Sequence, residues 1–178
     1  GANLSGADLS GANLLDANLY QANLSGANLN IAYLHRADLV DADMSGADLT
    51  GADLSGTFLL NTNLRDANFS RVNLQEANLT GADLNGTDFT DAIFSSHTKW
   101  PAGFDHLTVG AHGPGVDYSS KEFLLNARHW DLKGTNFEGA EIKSTDFNTL
   151  MARRVMSSKF PMGVGTIYNF IVQSYNVF

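Results

Sequence analysis

The chain has no cysteine, which removes disulfides, thiolate metal ligands and cysteine nucleophiles together. It has three prolines, and nowhere does it approach the roughly 18 consecutive apolar residues that a membrane-spanning helix needs, so no membrane contact is expected of this segment. Positive charge is nearly missing from the first part. Residues 1–95 hold no lysine and only Arg36, Arg65 and Arg71 against 12 acidic residues, a net of −9, whereas residues 96–178 come to +1. An acidic surface of this kind repels nucleic acid, so none is expected as a partner. Valine and isoleucine are scarce, while alanine and leucine recur at fixed places, a composition that points away from a layered core and toward a repeat.

The repeat has a period of five. With the central residue of each unit written as i, the centres are Leu4, Leu9, Leu14, Leu19, Leu24, Leu29, Leu34, Leu39, Met44, Leu49, Leu54, Leu59, Leu64, Phe69, Leu74, Leu79, Leu84, Phe89 and Phe94, 19 units without a gap. Position i−2 is alanine in 15 of them, with Thr57, Thr62, Val72 and Thr87 in the others. A period of five fits neither a helix nor a long strand, so the backbone must repeat a bend every five residues and coil. If each unit is one side of a square, i and i−2 point inward, i−1, i+1 and i+2 point outward, and four units close a turn of 20 residues. Turns then stack at about the 4.8 Å spacing of neighbouring strands. The 19 centres become the core of an all-β, four-sided helix. Alanine fills the space that four large side chains per layer leave over, and Asn or Asp at i−1 with frequent Gly at i+2 suits the bends.

Units such as Ala7-Asp8-Leu9-Ser10-Gly11 resemble the pentapeptide-repeat family, closely over residues 1–95 and more loosely over 130–149. The resemblance implies a right-handed quadrilateral β-helix of a cyanobacterial type. It also implies, as an alternative function, mimicry of duplex DNA by an acidic rod that binds a type II topoisomerase such as DNA gyrase.

Beyond Phe94 the next inward positions are His97 and Lys99, so the first array is expected to stop, giving a β-helix over 1–96. Lys99-Trp100-Pro101-Ala102-Gly103-Phe104-Asp105 is similar to a loop that ends or interrupts such arrays, and Lys159-Phe160-Pro161-Met162-Gly163 is a second copy. Residues 97–129 read as an inserted loop followed by a short α-helix at about 120–128, started by the capping box Ser119/Glu122 and the staple pair Tyr118/Phe123. Residues 130–149 resume the pattern for one coil, and 150–178 form a C-terminal cap or tail. Gly1 already stands in phase with the repeat, which reads as the loss of an N-terminal segment. An anchor or export signal ahead of it is left open, and the expected compartment is otherwise the bacterial cytoplasm.

No catalytic, cofactor or metal site is expected. Asp105, His106 and His112 lack a tight ligand spacing, and Gly110, Gly113 and Gly115 lack the residues of a phosphate loop. The possible glycosylation sequons at Asn3, Asn23, Asn68, Asn78 and Asn85 come cheaply from the repeat and are assigned no function.

Sorting position i+1 by side gives polar columns on the first two sides. The fourth reads Tyr20, Val40, Leu60, Thr80, with Phe58 beside Leu60. Tyr20, Val40, Phe58 and Leu60 are therefore the candidate interaction face of a non-enzymatic scaffold for a protein partner. The face is expected to be covered by the C-terminal segment, a second subunit or a partner. An open strand edge at the end of the β-helix is a second route, to self-association.

Overall fold

The computed structural model describes residues 1–113 and two short strands beyond them, and the chain divides into two compact units, Gly1–His112 and Gly113–Phe178. In the first unit the i−1 residues form parallel bridges to the residue 20 positions on, from Asn3–Asn23 to Asn73–Ile93. Each rung repeats one set of hydrogen bonds: Leu4 N–H to Asn23 O (2.7 Å), Asn23 N–H to Ala2 O (2.9 Å) and Gly6 N–H to Ser25 O (2.9 Å). Corners are closed by bonds such as Ala7 N–H to Leu4 O at 3.0 Å. Every i+2 residue from Gly6 to Asp91 sits in the left-handed region, with φ between 51° and 75°. Glycine adopts it freely, whereas Ile31, at φ 51°, carries a β-branched side chain where such chains are strained.

The inward assignment holds. From Leu24 through Leu79 every centre is completely buried, with Leu19 and Leu84 nearly so. Leu4, Leu9 and Leu14 also point inward but are half-buried, because none of the described residues stacks on the N-terminal side of their coil. Thr57 and Thr62, at i−2, are buried without cost because their hydroxyls donate to Leu54 O (2.7 Å) and Leu39 O (2.9 Å).

The coil does not stop at Phe94 as the residue count suggested. One extra residue at the corner after Ser95 shifts the phase, so that Lys99 bridges to Asn78 and points outward. Thr98 takes the small inward position, donating to Leu74 O at 2.8 Å, and Trp100 takes the large one. Residues 101–110 then cross the end of the column, and the chain rejoins the ladder where His112 bridges to Ile93. Rings close this end. Trp100 lies edge-on to Phe89 (5.5 Å) and Phe94 (5.6 Å) and is stacked by Phe104 (5.4 Å) and His106 (5.3 Å).

In the second unit β1 (Glu122–Phe123) and β2 (Glu141–Ile142) pair in parallel, Phe123 opposite Ile142. Residues 122–123 are therefore extended and not the helix expected at 120–128. Pairing with a strand 19 positions on, about one coil, outweighs the local capping signal. The remainder of that expected helix, the rest of the coil at 130–149 and the tail at 150–178 lie outside the described residues.

Candidate interaction face

Outward side chains on the first two sides are built for the backbone. Asn or Asp at i−1 accepts the amide of i+1 through its Oδ1, as Asp48 does from Thr50 (3.0 Å) and Asn68 from Ser70 (3.0 Å), and the Thr50 and Ser70 hydroxyls add bonds of 2.6 and 2.7 Å to the same atoms. Hydrogen bonding to the charged form lowers a carboxyl's pKa. Asp8 is held below the usual carboxylate range by the Ser10 hydroxyl and then its amide, Asp88 by the Thr90 hydroxyl and amide, and Asp83 by the Asn85 amide with help from Arg65. The amides of i−1 asparagines also donate upward to aspartates of the coil before: Asn28 to Asp8 (3.1 Å), Asn63 to Asp43 (2.9 Å), Asn73 to Asp53 (3.0 Å). No two aspartates are neighbours in any i−1 column, and on the second side the order is Asp8, Asn28, Asp48, Asn68, Asp88.

The third and fourth sides differ. Tyr20, Val40 and Leu60 stand in successive coils of the fourth side, as the period requires. Tyr20 is 44% and Phe58 49% exposed, while Val40, in the coil between them, and Leu60, beside Phe58, are half-buried. Phe58 replaces the Asx residue of its unit and has no acceptor to offer the Leu60 amide, so a structural cap has been exchanged for an exposed ring. Tyr33 makes the same exchange on the third side, with Leu15 beside it and Ile31 at the adjoining corner, all exposed. Sorting only the i+1 column missed Ile31 and Tyr33; sorting i−1 and i+2 in the same way finds them. The Asp16–Arg36 ion pair (3.3 Å), exposed and of little energetic weight, stands at the corner between the third and fourth sides.

His106 and His112 are not brought together as ligands. His106 packs on Trp100, and His112 Nε2 lies 3.1 Å from Asp91 Oδ1. Among the described residues no group of three or more His, Asp or Glu side chains is placed to hold a metal, and no helix is long and apolar enough to cross a membrane.

No curated protein sequence matches the chain. Among solved structures, the pentapeptide repeat protein HetL of Nostoc sp. strain PCC 7120, involved in heterocyst differentiation regulation, is similar at 25% identity over 89% of this chain and 66% of its own, with a TM-score of 0.53. The Nostoc PCC 7120 pentapeptide repeat protein alr5209 is 32% identical over 61% of this chain and 82% of its own, with a TM-score of 0.40. QnrB1, a plasmid-mediated fluoroquinolone resistance protein, is 20% identical over 98% of this chain and 85% of its own, and its TM-score of 0.30 lends no weight to any function. The profile of the family described as pentapeptide repeats matches in eight copies over residues 1–30, 27–66 and 59–96, which together take in more than half of the 178 residues. With the 20-residue coil, the left-handed corners and the leucine column all in place, the chain belongs to the pentapeptide-repeat family, whose fold is a right-handed β-helix.

Proposed function

We propose that the first unit is a non-catalytic interaction module whose working surface is the fourth side, centred on Tyr20, Val40, Phe58 and Leu60. The observation that carries this reading is Phe58. An exposed phenylalanine at a position where 16 of 19 units have Asn or Asp gains little burial and gives up a cap worth about 1 kcal/mol, so it serves something outside the fold. Proximity labelling in cells tests this with the wild type and the double variant Tyr20→Ser/Phe58→Asn, which restores repeat residues at both places. The variant is expected to melt no lower than the wild type and to lose its labelled neighbours. An unchanged set of neighbours rejects the reading.

The net charge of −9 over residues 1–95 favours a second reading, an acidic mimic of DNA that binds DNA gyrase. Inhibition of gyrase supercoiling at micromolar protein supports it; no effect at that concentration removes it.

A further inference from the structure

The apolar column of the fourth side is set among carboxylates. In the second coil Val40 lies between Asp38 on the same side and Asp41 at the next corner, with Tyr20 one coil before and Leu60 one coil after. Asp38 Oδ1 is occupied by the Val40 amide (3.1 Å), and Asp41 Oδ1 accepts from the Asn61 amide group (3.2 Å). Each bond uses one oxygen of its carboxylate. Arg36, in the same coil, is paired with Asp16. Tyr20 stands out in the coil before Val40 and Phe58 in the coil after, beside Leu60, while Val40 and Leu60 are half-buried, which leaves a shallow apolar saddle at Val40 edged by negative charge.

We infer that this saddle takes a short segment of a second protein that is apolar on one face and carries lysine or arginine beside it. Its apolar side chains would cover Val40, between the Tyr20 and Phe58 rings, and Leu60 beside Phe58, and its cations would meet Asp38 and Asp41. Charge complementarity chooses this occupant. An acidic segment would meet like charge at the saddle, and a purely apolar one would leave the two carboxylates facing a dry surface without a counter-charge. The inference rests on the interaction reading above and narrows it to a basic, amphipathic partner.

The test is calorimetric titration of the full chain with an amphipathic Leu/Lys peptide of about 14 residues, long enough for an apolar face, and with the same peptide carrying Glu for every Lys. One Lys peptide is expected to bind per chain. Tyr20→Ser/Phe58→Asn is expected to weaken it about tenfold, as loss of aromatic anchors does. Asp38→Asn/Asp41→Asn should weaken it about fivefold through the lost charge pairs. Asp48→Asn/Asp88→Asn, which removes the same charge from the second side, should leave it unchanged. The inference is overturned if the Glu peptide binds as well, if the second-side variant weakens binding equally, or if the Lys peptide does not bind. Cellular labelling separates the two levels. Neighbours lost in Tyr20→Ser/Phe58→Asn but kept in Asp38→Asn/Asp41→Asn leave the interaction module standing and reject the basic partner; neighbours kept in both reject the two together.

Discussion

Replacing Leu49 by alanine tests the stacked core at its middle. Leu49 is completely buried in the second-side column, as are Leu29 in the coil before it and Phe69 in the coil after. The lost methyl groups cost transfer free energy, and the cavity adds to it unless neighbours close in. Closing in is resisted by the rungs on either side: Asp48 N–H to Ala27 O at 3.0 Å, Leu49 N–H to Asn68 O at 2.9 Å and Asn68 N–H to Ala47 O at 2.9 Å set the separation of the coils. The cost therefore falls in the upper part of the usual Leu→Ala range, about 3–5 kcal/mol. Leu9 stands in the same column but is half-buried, so Leu9→Ala should cost about 1–2 kcal/mol, reflecting the smaller apolar area removed from water. Urea titration followed by far-UV circular dichroism measures both. Hydrogen exchange adds the location, since a solenoid is held by nearest-neighbour contacts and the amides of the coils flanking residue 49 should lose protection first. Equal costs at the two positions, or less than about 1 kcal/mol at Leu49, would refute the picture of a rigid ladder with a close-packed interior.

Gly46, at φ 64°, has open space where a side chain would go, so Gly46→Ala should cost only the left-handed penalty of about 1–2 kcal/mol, and Ile31→Gly should stabilise slightly as strain is relieved; urea midpoints decide both. The carboxyls of Asp8, Asp83 and Asp88 have folded pKa values below 3.8, so their contribution is present above that pH and is lost as pH falls through the folded values. Changing all three to asparagine, which keeps the caps, should flatten the acid limb of a stability-versus-pH curve; an unchanged limb would show that other groups carry it. Trp100→Ala removes the ring shared by Phe89, Phe94, Phe104 and His106, and should cost about 2–4 kcal/mol and expose residues 101–110 to limited proteolysis. Thr62→Val keeps the shape but loses the donor to Leu39 O, for about 1 kcal/mol by thermal melt.

The coil, its 20-residue period and its core were legible because each unit restates the same inward pair, so that chance matches are averaged away over 19 copies. What failed to show was whatever occurs once. A single added residue after Ser95 moves Lys99 from an inward to an outward place, and no periodic count registers an insertion that the backbone absorbs at a corner. The capping residues Ser119 and Glu122 are a sound local signal, yet Glu122 and Phe123 are extended because their strand partner lies 19 residues away. Tyr20, Val40, Phe58 and Leu60 did fall on one side, since side assignment follows from the period alone. Ile31 and Tyr33 lie at i+2 and i−1, outward columns ordinarily given to turn and cap residues, and stay out of view when only i+1 is sorted.

The alternation of aspartate and asparagine up the second side restricts how this chain can change its length. Removing one coil, residues 21–40, would keep every inward residue in phase and every rung intact, but it would seat Asp8 directly against Asp48. Like charges facing each other across neighbouring strands are destabilising by roughly 0.2–1 kcal/mol. Removing two coils, residues 21–60, sets Asp8 against Asn68 and restores the donor that Asn28 supplies now. On this side the backbone repeats every coil while the charge pattern repeats every second one, so a single coil that carries Asn28 or Asn68 cannot be lost without bringing two aspartates together, whereas a pair of successive coils can.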